Sequence, residues 1–565
     1  MTVTVAATPG GGGQKVQRRI LSGLIYTLLI ISIIYPMLMI LYESIAESSE
    51  GFITHAHSVL TDADVGLAIV NTLKISCLAT AIAGSLGVSL AWLVARTDMP
   101  FARIFDPLNM LPFYLSSVVG ALSWQVIASP KIGLLNKWLE PLFGASPLVN
   151  IYSITGIGFV LGLFYAPYIY LFTLESLRSM DASLEEAARM AGSSILNTAF
   201  KVTLPLSAPA ILSSFMLVFV TCAGIFGVPQ VLGTPGHITT VSTIIYRAMN
   251  DYPTDYPTAA LLSLLLFIFT AMLIVLQVKF LKNKSFATIT GKGYRPRPLK
   301  LGKWRWFGFG VNLLYVLLIG LPFAALCAVS LQDAWTGSFE WGRSTLENYR
   351  AVLFIEDAAR RGFSNSLIIS SLGATIAVGV CFLLALIVQK TRLPGRRMIS
   401  FISSLPVAIP GIVLGLGFLV GFISTPLYAT IWIIMFAYIV HYLPTGLSNM
   451  EALVLSVSRE LDESGRMSGA SWWQAMSKIL LPLLAPGMIS TWILLFVTFI
   501  REVSASVMLY TLGTETLSIA LIRIMEYKPY GISAAFGVLQ TLLLMGAVVL
   551  LRFAANGSAD RKGRL

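Results

Sequence analysis

The sequence predicts an all-α membrane protein of about 12 transmembrane helices, arranged as two direct six-helix repeats. Its 565 residues are 56% hydrophobic and only 12% charged, against roughly 25% charged in soluble domains. Uncharged stretches such as residues 20–42 are long enough to cross a hydrocarbon core of about 30 Å as helices. A polar segment that begins at Leu184 recurs 277 residues later, at Leu461. Together, these observations predict a duplicated bundle of membrane helices.

Twelve apolar stretches are predicted to span the bilayer. Backbone amides inside lipid must be hydrogen-bonded within the segment, so each stretch is predicted to be helical. The predicted spans are 20–42, 68–95, 105–128, 151–174, 207–231, 259–281, 306–331, 365–389, 399–424, 427–448, 485–509 and 531–554.

The net charge of +12 is attributed to membrane topology and not to nucleic-acid binding. Basic residues of membrane proteins collect on cytoplasmic loops, and Lys15, Arg18 and Arg19 precede the first span. We therefore expect both termini in the cytoplasm. The first apolar stretch is longer than the core of about 7 to 15 residues in a cleavable signal peptide, so it is predicted to be a retained span. One predicted outside loop is an exception because it carries Arg343, Arg350, Arg360 and Arg361.

Two sequence registers support the duplication. Twelve identities align the polar segments without a gap at an offset of 277, from Leu184 and Leu461 to Pro209 and Pro486. Upstream, the offset is 294, which pairs Arg96 with Lys390. The difference of 17 residues is assigned to the predicted outside loop 129–150, since loops tolerate insertions. Six spans in each half return to the same side, so the repeats are direct and related by an axis along the membrane normal.

The repeated loop is predicted to begin with a short helix. Ser183 and Glu186 have the S-x-x-E spacing of a capping box in the first copy. Glu186 and Arg189 are three residues apart and can pair on that helix, as can Glu463 and Arg466.

Glycine and proline are predicted to end this loop helix and the segment after it. Gly192 and Gly469 can adopt the left-handed conformation that ends a helix. Pro205 and Pro482 are predicted to stop the segment that follows the turn. The expected structure is a short helix, a glycine turn and a second helix that re-enters the membrane.

Both loops resemble the EAA loop of permease subunits of bacterial ATP-binding cassette importers. That pattern is E-A-A, three residues, G, nine residues and I-x-L-P. The first copy matches it at Glu186, Ala187, Ala188, Gly192 and Leu204-Pro205. The second copy has Ser464 and Gly465 in place of the two alanines, so its fit is weaker.

The resemblance implies an importer permease in a bacterial inner membrane, with two separate ATPase subunits and an extracellular or periplasmic substrate-binding protein as partners. Each loop would form a coupling helix in a groove of an ATPase subunit, and ATP-driven closure would rock the halves between inward-open and outward-open states. The implied coupling residues are Glu185, Glu186, Ala187, Ala188, Arg189, Gly192 and Pro205 in the first loop, and Glu463, Arg466, Gly469 and Pro482 in the second.

The expected domains follow from the spans and this resemblance. They are an N-terminal span with an outside loop (1–65), the first permease repeat with its coupling loop (66–282), a basic cytoplasmic linker (283–305), span seven with an outside loop (306–361), the second permease repeat with its coupling loop (362–554) and a cytoplasmic tail (555–565).

Enzymatic and metal-binding motifs are missing from the sequence. No G-x-x-x-x-G-K-[ST] phosphate-binding loop occurs, so the chain is not expected to hydrolyse ATP or to carry a cofactor of its own. No His, Cys and acid cluster predicts a metal site, and His441 is predicted to pack between helices. The four cysteines lack paired spacing and are predicted to be buried structural thiols: Cys77, Cys222, Cys327 and Cys381.

Arg501 and Glu502 are the clearest candidates for a transport pathway. Both fall within predicted span eleven, and ionisable residues in spans usually face the interior of the bundle. Successive helical residues point about 100° apart, so at most one of them is expected to face a central pathway, and local pairing is the alternative. The aligned first-half segment FGVPQVLG adds the pathway candidates Phe226, Gly227 and Pro229.

The strings REVSASVML and FGVPQVLG are similar to those of fused two-domain permeases in the ferric-iron importer family. This similarity implies ferric iron as the cargo, with thiamine, polyamines or aminoethylphosphonate as alternatives. Glu502 suits a cation and Arg501 an anion, so the residues themselves leave the cargo open. An ion-coupled secondary carrier is the competing class. It would need more intramembrane acids than Glu502, and it gives no reason for two matched loops.

Overall fold

A computed structural model describes residues 23–46, 51–144, 148–181, 183–282, 298–391, 393, 395–457, 474 and 476–562. Within these ranges the regular structure is helical, apart from two isolated β-bridges. Among the described residues, nine helices are long and apolar enough to cross a membrane, and three bent helix pairs bring the number of candidate spans to as many as 12. The predicted fold class is therefore confirmed.

The twelve spans are numbered in chain order. Their bounds are Gly23–Ala46, Ala63–Arg96, Ala102–Phe113 with Ser117–Ala128, Ile154–Ser179, Ile195–Gly224, Tyr256–Lys279, Gly302–Ser330, Asp357–Lys390, Arg396–Ala408 with Gly411–Phe422, Ile431–His441 with Leu443–Ser456, Leu481–Arg501 and Tyr530–Val549. The helices of spans six and twelve continue to Lys282 and Lys562.

Spans five and eleven end earlier than the sequence predicts. Span five ends at Gly224 and span eleven at Arg501, and the next residues, Ile225 and Glu502, are extended. The predicted ends at 231 and 509 are therefore wrong. Hydropathy cannot detect these breaks because apolar residues continue through them. After Arg501, the Glu502 carboxylate accepts the Ala505 amide at 2.8 Å, which stabilises the turn that replaces the helix.

The helix bounds repeat with the two sequence offsets. Spans two and eight both have 34 residues, and the start of span eight at Asp357 lies 294 positions after the start of span two at Ala63. In spans five and eleven, a π-helical turn of five residues precedes the regular helix, at Ala199–Thr203 and Met476–Leu480, which are 277 positions apart. The direct repeat is therefore present in the structure residue by residue.

Pro205 and Pro482 do not stop the segment, contrary to the expectation. Each is the second residue of the regular helix that follows the π turn. Proline lacks an amide hydrogen and its ring crowds the carbonyl one turn earlier. A π turn relieves both conflicts because it widens the helix at that point. The chain therefore continues through Pro205 as one helix, Ile195–Gly224.

The first span of each half packs on the other half. The Tyr35 hydroxyl of span one donates to the Gly421 carbonyl of span nine at 2.9 Å. In span seven, the Tyr315 hydroxyl donates to the Leu163 carbonyl of span four at 3.1 Å. Buried Asn312 accepts a hydrogen bond from the Asn109 amide at 3.0 Å. These reciprocal contacts join the two repeats.

The end of the predicted linker is attached to span two. Residues 283–297 lie outside the described ranges, and span seven begins at Gly302, inside the predicted linker. Leu299 forms a parallel β-bridge with Thr97, and the Leu301 amide donates to the Asp98 carboxylate at 2.8 Å. The second half therefore starts next to the end of span two.

Acidic neighbours accompany the arginines of the exceptional outside loop. Arg361 contacts the fully buried Glu515 carboxylate at 3.0 Å. The other three pairs are local, each spaced i to i+3: Glu340 with Arg343, Glu347 with Arg350 and Asp357 with Arg360. Because each arginine has an acidic partner, the loop carries less free positive charge than its arginine content implies.

Candidate coupling loop and central pathway

The first loop helix runs over Ser183–Met190, where the sequence predicts it. Its start differs in detail from the expected capping box. The Ser183 amide donates to the Asp181 carboxylate at 2.9 Å, and Ser183 is itself the first helical residue. The predicted capping box of Ser183 and Glu186 is therefore wrong, because the Ser183 amide that Glu186 would accept is already bonded to Asp181.

Gly192 ends the loop helix in the left-handed conformation, as predicted, with φ of +87°. The Ser193 amide donates to the Ala188 carbonyl at 3.1 Å, and the Gly192 amide donates to the Arg189 carbonyl at 3.0 Å. This pair of bonds is the Schellman motif, which satisfies carbonyls left free at a helix end. Ser194 then caps the following helix by accepting the Asn197 amide at 3.3 Å.

Glu185 points into the protein. Its carboxylate lies 3.6 Å from Arg96 Nε, and both side chains are under 5% exposed. The Thr203 hydroxyl donates to Glu185 Oε1 at 2.6 Å, and Arg96 also donates to the Met180 carbonyl at 3.2 Å. Glu185 thus connects the loop helix to the end of span two and to the π turn of span five.

Glu186 and Arg189 lie on the exposed side of the loop helix. Among the described residues they form no ion pair with each other, so their expected pairing is not observed. Ala187 is exposed and Ala188 half-buried. Four large apolar side chains on or near this helix are exposed: Leu184, Met190, at 90%, Leu196 and Phe200. The loop therefore presents a mixed polar and apolar surface.

Most of the second loop lies outside the described residues, including Glu463, Arg466 and Gly469. Its described borders reproduce the first loop. Lys390 donates to the Val457 carbonyl at 3.0 Å, which matches the bond from Arg96 to Met180. The counterpart of Thr203 is Leu480, which is buried and has no hydroxyl. Leu480 therefore cannot donate the hydrogen bond that Thr203 donates to Glu185 in the first half.

Arg501 and Glu502 contact different partners at the end of span eleven. Arg501 Nη1 donates to the Phe113 carbonyl, at the break of span three in the other half, at 2.5 Å. The buried Glu502 carboxylate accepts the Tyr442 hydroxyl at 2.5 Å and the Ala505 amide at 2.8 Å. The expectation of two neighbouring helical residues is wrong, because Glu502 has left the helix.

The aligned first-half segment packs against this break. Phe226 is buried, and its ring centroid lies 4.8 Å from that of Tyr246. A Cβ atom on Gly227 would lie 2.6 Å from a Val118 methyl and 3.0 Å from a Val503 methyl. Pro229 opens the π turn Pro229–Gly233. These residues bring the interrupted ends of spans five and eleven together.

His441 and the cysteines differ in part from expectation. The His441 ring packs edge-on against Tyr442, with centroids 4.6 Å apart, but its Nδ1 is buried without a hydrogen-bond partner. Cys222 and Cys381 are buried, Cys327 is half-buried, and Cys77 is exposed, so burial of all four is wrong. In the part of the chain that the structure describes, no three His, Cys, Asp or Glu side chains could hold a metal ion.

Twelve spans in two direct repeats, each with a loop between its fourth and fifth spans, define a polytopic membrane permease built from a duplicated unit. The family model described as "Binding-protein-dependent transport system inner membrane component" matches residues 83–283 and 377–564. The two matches cover more than half of the chain, so the protein belongs to that family. It is a multi-pass inner-membrane permease subunit.

Relatives match either the whole chain or one half. A putative ferric transport system permease protein FbpB 1 of Haemophilus influenzae is 28% identical over 88% of this chain and 78% of its own length. The Fe(3+)-transport system permease protein FbpB 2 of the same organism is 26% identical over 93% of this chain and 97% of its own length. A putative 2-aminoethylphosphonate transport system permease protein PhnV of Salmonella paratyphi A is 28% identical over 46% of this chain and 95% of its own length. The shorter relative thus corresponds to about half of this chain.

Proposed function

We propose that this chain forms the translocation pathway of an ATP-driven, binding-protein-dependent importer of ferric iron. Its family describes permeases of binding-protein-dependent systems. The long relatives, which are named as ferric transport permeases, align with about nine-tenths of the chain. The alignment across both repeats is the observation that carries the proposal for iron.

Two separate ATPase subunits bind the two repeated loops in this proposal. The surface around Met190, Leu196 and Phe200 supports this because large exposed apolar side chains on a polar loop are typical of a protein interface. The Schellman turn at Gly192 fixes the direction in which the chain leaves the loop helix towards span five. ATP hydrolysis belongs to the partner subunits, and this chain needs no cofactor of its own.

The end of the bundle that carries the loop helix Ser183–Met190 faces the cytoplasm, together with both termini. The basic residues before span one and in the linker support this orientation. The opposite end, where Arg361 pairs with Glu515, receives the substrate-binding protein.

The pathway runs between the halves, beside Arg501 and Glu502. The hydrogen bond from Arg501 to Phe113 crosses from one half to the other, so it must change if the halves rock apart. Phe226, Gly227 and Pro229 support the pathway by packing, since Gly227 lies against Val503, next to Glu502.

Cross-linking tests the docking of the loop. Met190→Cys, in a chain whose four native cysteines are replaced, is expected to form a disulfide with a cysteine placed in the groove of the ATPase subunit. Tyr252→Cys is the control, since Tyr252 is almost fully exposed but lies between spans five and six, at the opposite end of the bundle. Equal cross-linking of both variants, or of neither, would contradict the docking proposal.

Aminoethylphosphonate is the second candidate cargo because relatives named for its transport match half of the chain. Thiamine and polyamines are weaker alternatives for the cargo. An ion-coupled secondary carrier is a weaker alternative for the class of transporter. Isothermal titration of the cognate substrate-binding protein separates the cargoes. We expect the binding protein to bind ferric iron tightly. If it binds aminoethylphosphonate tightly and does not bind iron, aminoethylphosphonate is the cargo and the proposal for iron is wrong.

A further inference from the structure

An oxygen-rich cluster lies at the break after span eleven. The Tyr442 hydroxyl donates to Glu502 Oε2 at 2.5 Å, a short bond to a buried carboxylate. The Tyr438 hydroxyl reaches the Glu502 backbone carbonyl at 3.2 Å. The side chain of Tyr442 is only half-buried, although Glu502 is buried. The hydroxyl of Tyr442 therefore covers one oxygen of the buried carboxylate.

Two tyrosines of the first half approach the same place. Tyr165 is the counterpart of Tyr442 at the 277-residue offset, and its ring stacks on that of Tyr168 with centroids 5.5 Å apart. Both tyrosines are half-buried. The Phe113 ring lies 4.7 Å from that of Tyr168, and the Phe113 carbonyl accepts the hydrogen bond from Arg501. This series of contacts brings the two first-half tyrosines to the break after span eleven, where Tyr442 binds the carboxylate.

We propose that Tyr442 and Glu502, together with Tyr165 and Tyr168, form a transient binding station for the ferric ion at the interface of the halves. This inference rests on the proposed function, because it identifies where the cargo is held. Ferric iron is a hard cation, and phenolate and carboxylate oxygens are hard ligands. Coordination replaces the phenol proton of Tyr442 by the metal ion and releases that proton to water.

Arg501 keeps this station weak. Its guanidinium is the neighbour of Glu502 in sequence, and Arg501 Nε is buried without a hydrogen-bond partner. A fixed positive charge beside a trivalent cation opposes retention. A transport pathway needs binding that is strong enough for entry and weak enough for release. The pair of opposite charges therefore suits a transient station better than a storage site.

Visible absorption tests the station, because a ferric–phenolate bond produces a charge-transfer band that neither protein nor free chelate has. The complete transporter in nanodiscs is titrated with ferric nitrilotriacetate. We expect the band in the native chain and a loss of most of its intensity in Tyr442→Phe and in Tyr165→Phe. Iron uptake by each variant should fall by about tenfold, which corresponds to a loss of roughly 1.4 kcal/mol of binding free energy in the pathway.

Tyr315→Phe is the matched control, since its buried hydroxyl donates to the Leu163 carbonyl and is not part of the station. It should keep both the band and the uptake. Using two tyrosine variants, one in each half, keeps the test decisive if one of them fails to fold.

An unchanged band in both folded variants, or no band in a native transporter that imports iron, overturns the station and leaves the importer proposal intact. If the native transporter imports no iron when supplied with its binding protein and ATP, the proposed function itself fails.

Discussion

Glu185 and Arg96 form a buried ion pair, with the carboxylate oxygen 3.6 Å from Arg96 Nε. The pair joins the loop helix to the end of span two, while Glu186 beside it stays exposed. Adjacent glutamates of the same loop therefore have opposite environments, one facing the bundle and the other facing the surface where an ATPase subunit is proposed to bind.

Replacing each glutamate separates these roles. Glu185→Gln leaves Arg96 buried without a counter-charge, and breaking a buried pair costs about 3–5 kcal/mol. We expect a lower unfolding temperature by scanning fluorimetry, together with loss of ATP-driven uptake. Glu186→Gln should keep the native unfolding temperature and weaken only the stimulation of ATP hydrolysis by the loaded binding protein. Equal destabilisation by both substitutions would show that Glu185 is not the anchor.

The conformation of Gly192 predicts which substitutions the turn tolerates. A Cβ atom there would meet nothing within 4 Å, so only its φ of +87° limits the side chain. Asparagine tolerates left-handed backbone far better than a β-branched residue. Gly192→Asn should therefore retain most transport and Gly192→Val should lose it, at a cost of about 1–2 kcal/mol in the turn. Equal transport by the two variants would mean that the turn does not limit coupling.

The packing of span one on span nine predicts a steric defect. A Cβ atom on Gly417 would lie 2.9 Å from the Pro36 carbonyl, a backbone atom that cannot move alone. Gly417→Leu should separate span one from span nine and lower the unfolding temperature of the purified protein. Gly320→Leu provides the control, because nothing lies within 4 Å of that position. A similar loss in the control would attribute the effect to leucine itself.

The buried Glu515 predicts a pH dependence at the end opposite the loop helix. Burial alone would raise the pKa of Glu515, but hydrogen bonds from Arg361 and from the Gly513 amide outweigh it, and the net effect lowers the pKa. A lowered pKa means that the charged carboxylate stabilises the fold above its unfolded pKa of about 4.3, and that this stability is lost as pH falls through the folded pKa.

We therefore compare the unfolding temperatures of the native chain and Glu515→Gln across pH. The variant should be less stable by about 1–3 kcal/mol, since two arginines lose their charged partner. The difference should stay constant above about pH 5 and shrink below about pH 4. A difference that grows as pH falls would have the wrong sign for this cluster.

Hydropathy and internal repetition were sufficient to predict the fold, because a span is defined by its length and apolarity. They also located the loop helix and the left-handed Gly192. The breaks after Gly224 and Arg501 could not be predicted, since apolar residues continue through both. Pro205 was misjudged because a π turn accommodates it within a continuous helix.

The environment of the site residues depended on tertiary contacts. The sequence of an eight-residue helix with two successive glutamates does not show which glutamate faces Arg96. Glu185 does so, although Arg96 lies 89 positions earlier in the chain. Tyr442 was missed because its partner Glu502 lies 60 residues away. A signal was nevertheless available, since the 277-residue offset aligns Tyr442 with Tyr165.

Uptake by the reconstituted transporter tests the central claim most directly. Proteoliposomes containing this chain and its ATPase subunits are supplied with ATP inside and with the ferric-loaded substrate-binding protein outside. We predict iron accumulation that requires ATP, both partners and the native loop at Gly192. Accumulation driven by an ion gradient in the absence of the ATPase subunits would contradict the assignment.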